Sequence, residues 1–375
     1  VMFTSLDTRL MLHAIHLAKR GRFTTAPNPN VGCVIARGEE IVGEGFHYRA
    51  GEPHAEVFAL KQAGELAKGA TAYVTLEPCS HYGRTPPCAE ALIKSGISKV
   101  ICAMVDPNPM VAGRGVEMLQ KAGIDVQVGL LNEEAQALNL GFIKSMTKKM
   151  PFVELKLASS LDGKTALANG ESKWITGPCA RADVQRHRAQ AGAILSTSAT
   201  VIADDPSLNV RWSELGEQVQ AQYAQEDVRQ PTRVIIDSQN RLTPAYQLFH
   251  LPGKTILART EKGDEDWPES VSQWVVPTRQ DSQQIDLTEL MRQLAEAGIN
   301  HIWVEAGAGL AGGLLDAQLV DSLILYQAPK LMGADSRSLM NLPTLTAMDQ
   351  VIDLNITDVR MVDCDLKITA TIKRS

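Results

Sequence analysis

The reactive chemistry of this chain gathers in four residues. His54 and Glu56 stand in the stretch "PHAE", and Cys79 and Cys88 close the two ends of "CSHYGRTPPC". A proline directly precedes each residue that offers a ligating nitrogen or sulfur: Pro53, Pro78 and Pro87. Proline at such places marks a strand-to-helix turn or the first turn of a helix. A thiol there meets backbone N–H groups and the positive end of a helix, which favour the thiolate. One imidazole and two thiolates are the protein ligands of a catalytic zinc ion, with one of its four positions left open. Water in that position has its pKa lowered to about 7. Glu56 lies two residues beyond His54 and need not ligate. It can carry protons between that water and a substrate, an effect of typically ~10²–10⁴ in rate.

Other readings of the cysteines compete. A Cys79–Cys88 disulfide needs an oxidising compartment, and six scattered cysteines in 375 residues do not suggest one. Cys33 and Cys102 sit in apolar runs and read as core. Cys179 and Cys364 receive no role. A structural zinc module fused to a nucleotide-binding sensor stays open, with Cys33 or His81 as the fourth ligand that such a site requires.

The order H-x-E, then P-C, then a second cysteine resembles the zinc-dependent nucleobase and nucleoside deaminases, whose signature closes as P-C-x-x-C. Here eight residues, "SHYGRTPP", separate the cysteines where that signature has two. The enlarged loop, with "PNPNVG" (27–32), "HAE" and "DPNPMVAGRG" (106–115), resembles one branch, the pyrimidine deaminases of riboflavin biosynthesis. The resemblance implies a cytidine-deaminase-like three-layer α/β domain. It implies hydrolytic deamination of a phosphorylated pyrimidine, 2,5-diamino-6-(5-phosphoribosylamino)pyrimidin-4-one, at a Zn2+ held by His54, Cys79 and Cys88, with Glu56 catalytic. The substrate's phosphate calls for a cation, and Arg84 in the enlarged loop suits it; His81 is a solvated loop residue or a second partner. Asn28, His47, Asp106 and Asn108 match positions that line the family's pocket, although Asn and Asp beside proline also serve plain turn chemistry. A deaminase acting on a base in RNA is the rival reading. It calls for basic patches and the short cysteine spacing.

In the second half, "HIWVEAGAGLAGGLL" (301–315) reads as a strand, then Gly307-x-Gly309-x-x-Gly312, then a helix. The spacing matches a dinucleotide fingerprint. The following strand, "SLILYQAPK", ends in Pro329 and Lys330 instead of the ribose-binding acid of such a unit. Glycines that admit a phosphate to a helix N-terminus and glycines that permit tight strand–helix packing are equal readings here. The series "KLASSLDGKTA" (156–166), "GESKWIT" (170–176), "VQRHRA" (184–189), "SATVIADDPSLNVR" (198–211), "VIIDSQNRL" (234–242) and "WVEAGAGLAGG" resembles the reductase of the same pathway. That resemblance implies a dihydrofolate-reductase-like domain using NADPH to reduce the ribosyl group to ribityl. By motif match, Ala158, Trp174, Thr200, Asp204, Ser238, Gly307, Ala308, Gly309, Leu310, Ala311, Gly312 and Gly313 touch the cofactor. Ser172, Arg188, Leu208, Arg211 and Glu305 touch the substrate, the two arginines as phosphate partners. Lys156 and Asp204 are candidate proton donors.

These residues need rigid elements to hold them, and the chain supplies helices and strands in alternation. Helices are expected over 7–20, from Pro53 to about 66, from Pro86 to 96, near 114–122 and near 132–148. Strands are expected at 31–36, 41–46, 71–76, 99–105 and near 124–130. The polar stretch "SMTKKMP" (145–151) ends the pattern, so domains of 1–148 and 149–375 are expected. The second domain is again α/β, with strands near 152–159, 193–197, 232–237, 254–258, 302–306 and 322–328 and helices near 179–190, 286–297 and 309–317. Residues 212–231 and 260–272 read as loops. A chain of 375 residues, 44% hydrophobic and 21% charged, accommodates two such domains. Net charge −6 and a pI near 5.8 leave no basic surface for nucleic acid or membrane lipid. No apolar run approaches the ~18 residues of a membrane span, and the N-terminal stretch lacks a signal-peptide core. A cytoplasmic protein with reduced thiols is expected, and a homo-oligomer, the commonest assembly.

Overall fold

The protein, described as a computed structural model over residues 2–82, 86–280 and 282–373, divides into two compact units, Val1–Lys149 and Met150–Ser375. The first unit carries strands β1 (Gly32–Arg37), β2 (Glu40–Phe46), β3 (Thr71–Val74), β4 (Lys99–Cys102) and β5 (Asp125–Val128). Its helices are α1 (Ser5–Ala18), α2 (Ala55–Ala63), α3 (Cys88–Lys94), α4 (Arg114–Lys121), α5 (Asn132–Ala137) and α6 (Leu140–Lys148). The sheet runs β2-β1-β3-β4-β5. β1 is antiparallel to both neighbours, and β3, β4 and β5 are parallel.

Alternation along β1 divides the core into two layers. Cys33 and Ile35 pack with Ala55, Ala59, Leu92 and Leu119 of α2, α3 and α4. Val34 and Ala36 pack with Leu10, Met11 and Ala14 of α1 and with Ala135 of α5. The helix that carries Glu56 lies directly on β2. A Cβ at Gly43 would come within 2.2 Å of Ala59 O, and one at Gly45 within 2.6 Å of Ala55 O. An alanine face on α2 against glycines on β2 thus seats His54 and Glu56 at a short, fixed height above the sheet.

One expected element is two. The helix anticipated over 132–148 breaks at Asn139, whose φ of −135° leaves the helical region. The Asn139 side chain accepts from Asn30 N at 2.7 Å and donates to Asn30 O at 2.9 Å. The residue serves the 27–32 loop instead of continuing a helix, a competition to which Asn is prone.

The second unit contains β6 (Phe152–Ser160), β7 (Lys164–Ala166), β8 (Ala193–Thr197), β9 (Thr232–Ile236), β10 (Thr255–Arg259), β11 (Val271–Val275), β12 (His301–Glu305), β13 (Ser322–Ala328), β14 (Arg337–Ser338), β15 (Leu354–Val362) and β16 (Asp365–Ile372). Its helices are α7 (Pro178–Gln190), α8 (Ser198–Asp204), α9 (Glu217–Gln220), α10 (Leu287–Glu296) and α11 (Ala308–Asp316). A nine-stranded sheet runs β11-β10-β9-β8-β12-β6-β13-β16-β15. The strands from β11 to β13 are parallel, and β16 and β15 close one edge as an antiparallel hairpin. Helices cover both faces, one through Leu290, Leu294 and Leu314 packed with Leu155 and Val304, the other through Ala180 and Val184 packed with Ile194 and Ile235. β11 and the β15–β16 hairpin were not among the expected strands. Both lie at sheet edges, where one flank meets solvent and the apolar signal is diluted.

Candidate functional site

In the first unit, three loops bring the metal ligands together. His54 is the N-cap of α2 and Cys88 opens α3, while Cys79 lies in the segment after β3. His54 Nδ1 lies 3.3 Å from Cys88 Sγ and 3.6 Å from Cys79 Sγ, and all three donor atoms fall within 4.8 Å of one another. Zinc–nitrogen bonds of about 2.0 Å and zinc–sulfur bonds of about 2.3 Å at tetrahedral angles require N···S separations of about 3.5 Å. The donor set therefore fits zinc in type and in spacing. Hydrogen bonds from Cys88 and His54 pull the Cys79 thiol down to about 4, while its bond to Cys79 and its burial push Cys88 up. Two sulfurs competing for one proton are what a divalent cation between them relieves. Among the described residues no fourth side chain joins the cluster. Cys33 is fully buried in β1, and His81 stands outside the group.

Glu56 is buried, and burial pushes its carboxyl up to about 7. Among the described residues its Oε2 has no hydrogen-bond partner. A buried carboxylate oxygen without a donor is expensive, and native folds retain one where a ligand or reaction uses it. His47 is buried nearby, its ring 5.5 Å from that of His54 and nearly perpendicular to it. It donates from Nδ1 to Pro53 O at 3.1 Å, which leaves Nε2 to accept from Asn28 Nδ2 at 3.1 Å. The carbonyl can only accept, so that tautomer follows. Burial lowers the pKa of His47 and keeps it neutral. Asn28 and His47 thus form a strut ending beside His54. Asp106 and Asn108 sit on the loop before α4, half-buried. Arg84 lies outside the described residues.

In the second unit the C-terminal ends of β6, β8, β9 and β12 open into one cavity of about 1770 Å³. That is the end at which open parallel sheets bind ligands. The volume exceeds the ~300–1,000 Å³ of a single small-ligand pocket and suits a dinucleotide beside a second molecule. Every reductase position anticipated from the sequence lines it except Ala311 and Gly312. Ala311 faces the core. Gly312 is a packing glycine, since a Cβ there would lie 1.8 Å from Asn341 O. A Cβ at Gly307 or Gly309 meets open space, so those two face the cavity at the start of α11, where backbone N–H groups favour an anion. The two readings of the glycines therefore divide along the motif.

Arg188 and Glu305 are held by each other. Arg188 donates to both Glu305 oxygens at 2.6 and 2.8 Å and to Asn209 O at 3.0 Å. Trp303 Nε1 donates to Glu305 at 2.8 Å. Burial pushes the Glu305 carboxyl up, but the Arg188 charge prevails and holds it at about 2. Lys156 is the register partner of Glu305 on β6, and burial lowers its pKa. Asp204 is paired with Lys173 at 3.1 Å. Arg211 is bidentate to Glu214 at 2.5 and 2.9 Å. Such a half-exposed pair is weak enough for a phosphate to displace.

Two residues escaped the sequence reading. Arg241 lines the cavity three residues beyond Ser238 and donates to Ser198 Oγ at 2.9 Å. A cation in "DSQNR" was its signal. Glu77 is buried between β3 and Cys79, and an acid beside P-C was its signal.

A family described as the cytidine and deoxycytidylate deaminase zinc-binding region matches residues 4–104, and the RibD C-terminal domain matches residues 151–368. The riboflavin biosynthesis protein RibD of Escherichia coli K12 is 58% identical over 360 residues, covering 96% of this chain and 98% of that protein. Its counterpart in Haemophilus influenzae is 55% identical over 372 residues, covering 99% of both. Among solved structures, Acinetobacter baumannii RibD (form 1) superposes with a TM-score of 0.90 at 45% identity, covering 98% of this chain and 99% of that one. A Thermotoga maritima protein described as a diaminohydroxyphosphoribosylaminopyrimidine deaminase/5-amino-6-(5-phosphoribosylamino)uracil reductase superposes with a TM-score of 0.85 at 33% identity, with the same coverage.

Proposed function

The chain belongs to the family of riboflavin biosynthesis protein RibD, a bifunctional deaminase and reductase, and from that premise we propose how its own residues divide the work. Its halves have the cytidine-deaminase-like and dihydrofolate-reductase-like folds of that family, and zinc and NADPH are its cofactors.

His54, Cys79 and Cys88 hold the zinc. When bound, zinc supplies the Lewis acid that makes a water nucleophilic near neutral pH. Glu56 would take one proton of the attacking water at Oε2 and pass it to a ring nitrogen of the pyrimidine, then take the hydroxyl proton of the adduct and pass it to the amino group, which leaves as ammonia. Asn28, His47, Asp106 and Asn108 line the base and ribose side of the pocket, and Arg84 meets the phosphate. The observation that carries this reading is the Oε2 of buried Glu56, without a hydrogen-bond partner among the described residues, beside a three-donor metal set.

In the second unit NADPH, when bound, supplies the hydride that reduces the ribosyl group. The N-terminus of α11 at Gly307 and Gly309 receives the pyrophosphate. Ala158, Trp174, Thr200, Asp204 and Ser238 flank the rest of the cofactor, with Arg241 as the cation for its 2′-phosphate. Ser172, Leu208, Arg211 and the Arg188–Glu305 pair orient the substrate, and Lys156 gives the proton. The acidic chain opposes nucleic acid as a partner, and among the described residues no helix is long and apolar enough to cross a membrane. We place the protein in the cytoplasm. Edge strand β15 exposes Leu354, Ile356, Val359 and Met361, which supports a second copy of the chain as partner.

The test follows ammonia release and NADPH oxidation in one reaction, with and without a chelator. Chelation should abolish ammonia release while NADPH oxidation survives on supplied deaminated intermediate. Undiminished ammonia release from metal-free protein would remove the zinc mechanism.

A further inference from the structure

Glu77 is a buried carboxylate that the mechanism above does not use. Its Oε1 accepts from Gly115 N at 2.8 Å and Val116 N at 3.1 Å. Its Oε2 accepts from Asp106 N at 3.0 Å and Gly113 N at 2.9 Å. All four donors are backbone amides. One oxygen therefore closes the loop 106–113 by holding its first and last amides at the same point, and the other holds the start of α4. Within the loop, Asp106 Oδ1 accepts from Asn108 N at 2.8 Å and Asn108 Oδ1 from Met110 N at 3.1 Å. The loop's own turns fix its internal shape, but Glu77 fixes where it sits.

The other end of the tether is the metal-binding segment. Glu77 N donates to Met104 O at 2.9 Å, which anchors the glutamate to the strand end after β4. Pro78 and Cys79 follow directly. Gly115 lies against this segment so closely that a Cβ there would fall 2.0 Å from Pro78 O. A carboxylate with four good donors is a rigid joint, because moving it breaks several bonds at once and leaves the buried Gly115 N–H unsatisfied.

We propose that Glu77 is a positioning residue for deamination, holding Asp106 and Asn108 at a set distance from Cys79 so that the pyrimidine meets the metal ligands and Glu56 in register. This rests on the reading of the first unit as a deaminase whose substrate contacts the 106–108 segment. A displacement of about 1 Å at such a segment is enough to cost a large factor in substrate capture.

The experiment uses the zinc-loaded full chain and Glu77→Gln. The amide nitrogen of glutamine faces two N–H donors, so two of the four bonds are lost. KM for the pyrimidine should rise at least about tenfold with kcat within about threefold, the split expected of lost binding geometry. Zinc should stay near one per chain by elemental analysis, and NADPH oxidation by the second unit should not change. Hydrogen–deuterium exchange at Asp106, Gly113, Gly115 and Val116 should quicken about tenfold or more while the amides of β3 hold their rates. An unmoved KM, or kcat falling with active protein at constant KM, overturns the proposal. Should the variant fail to fold, exchange in the unsubstituted holoenzyme decides: the four amides must be protected, and exchange at the rate of an open loop overturns it. If the unsubstituted enzyme releases no ammonia, the deaminase reading falls and takes this inference with it. Normal release with an unmoved KM removes only the role of Glu77.

Discussion

His187 should make the second unit lose stability in mild acid. The imidazole lies flat on Trp303, ring centroids 4.5 Å apart and planes within 4°. Its Nε2 is 2.9 Å from Lys367 Nζ, which can only donate, so that nitrogen carries no proton. Burial is the main cause that lowers its pKa from 6.5 to about 4; the Glu154 carboxylate offsets part of this, and Lys367 and Arg186 add to it. Between those two values the unfolded chain binds a proton that the folded chain refuses, so stability is full above about 6.5 and declines as pH falls toward 4. The loss between pH 7.5 and 5 comes to about 2 kcal/mol. The shifted carboxylates of the second unit, Glu154, Asp183 and Glu305 among them, are all lowered and add little in this range. Glu305, held at about 2, contributes stability that is lost only as pH falls below the ordinary carboxylate range of ~4. Urea unfolding followed by tryptophan fluorescence is the assay, because Trp174, Trp212, Trp267, Trp274 and Trp303 all belong to the second unit. With a denaturant slope of about 2 kcal/mol per M, the midpoint should drop by roughly 1 M between pH 7.5 and 5. His187→Phe keeps a ring on Trp303 without a titrating nitrogen, so it should lower stability at pH 7.5 yet flatten the dependence to within about 0.5 kcal/mol. A flat profile in the unsubstituted protein, or an unchanged slope in the variant, refutes the assignment.

Glu56→Gln should retain zinc, measured by elemental analysis, yet lose ammonia release by at least ~10², with NADPH oxidation intact when the deaminated intermediate is supplied. Gly312→Ala drives a Cβ to 1.8 Å from Asn341 O and should destabilise the second unit by about 1–3 kcal/mol in the same unfolding assay. Gly309→Ala enters open space and should leave stability within about 0.5 kcal/mol while raising KM for NADPH. Arg188→Ala leaves Glu305 buried without its cation and should cost about 3–5 kcal/mol, read as a lowered midpoint and as a Glu305 that takes up a proton.

The zinc ligands were legible because proline and helix starts are local signals, and local signals need no knowledge of the rest of the chain. The same holds for the α/β alternation and for most strands of the large sheet. What escaped notice depended on distant partners. Nothing local to "NEEAQALNLGFIKSMTK" says that Asn139 will bond Asn30 and break a helix, because that partner lies 109 residues away. β15 hides for another reason. It is exposed along nearly its whole length, so burial imposes no pattern on it, although the alternation in "LKITATI" of β16 was there to be read. Gly307 and Gly312 share one motif and look alike as letters. Only the 1.8 Å clearance to Asn341 O separates the packing glycine from those that face the cavity.

Three buried glutamates show how these units separate structure from chemistry. Glu305 has its charge met by Arg188 and a further donor in Trp303, which makes it a fixed, ionised wall of the cavity. Glu77 has its charge met by four amides, which makes it a joint. Glu56 alone of the three keeps an oxygen without a donor among the described residues, and burial raises its carboxyl to about 7. A carboxylate held ionised by a cation, as Glu305 is by Arg188, cannot shuttle protons near pH 7; one raised toward neutrality in a dry site can. The fold thus spends donors on the two glutamates that must hold still and withholds them from the one beside the metal ligands. If Glu56 were merely structural, a glutamine there should be met by partners that the glutamate lacks. Among the described residues no hydrogen-bond partner meets Oε2, and the proposed proton transfer would use that oxygen.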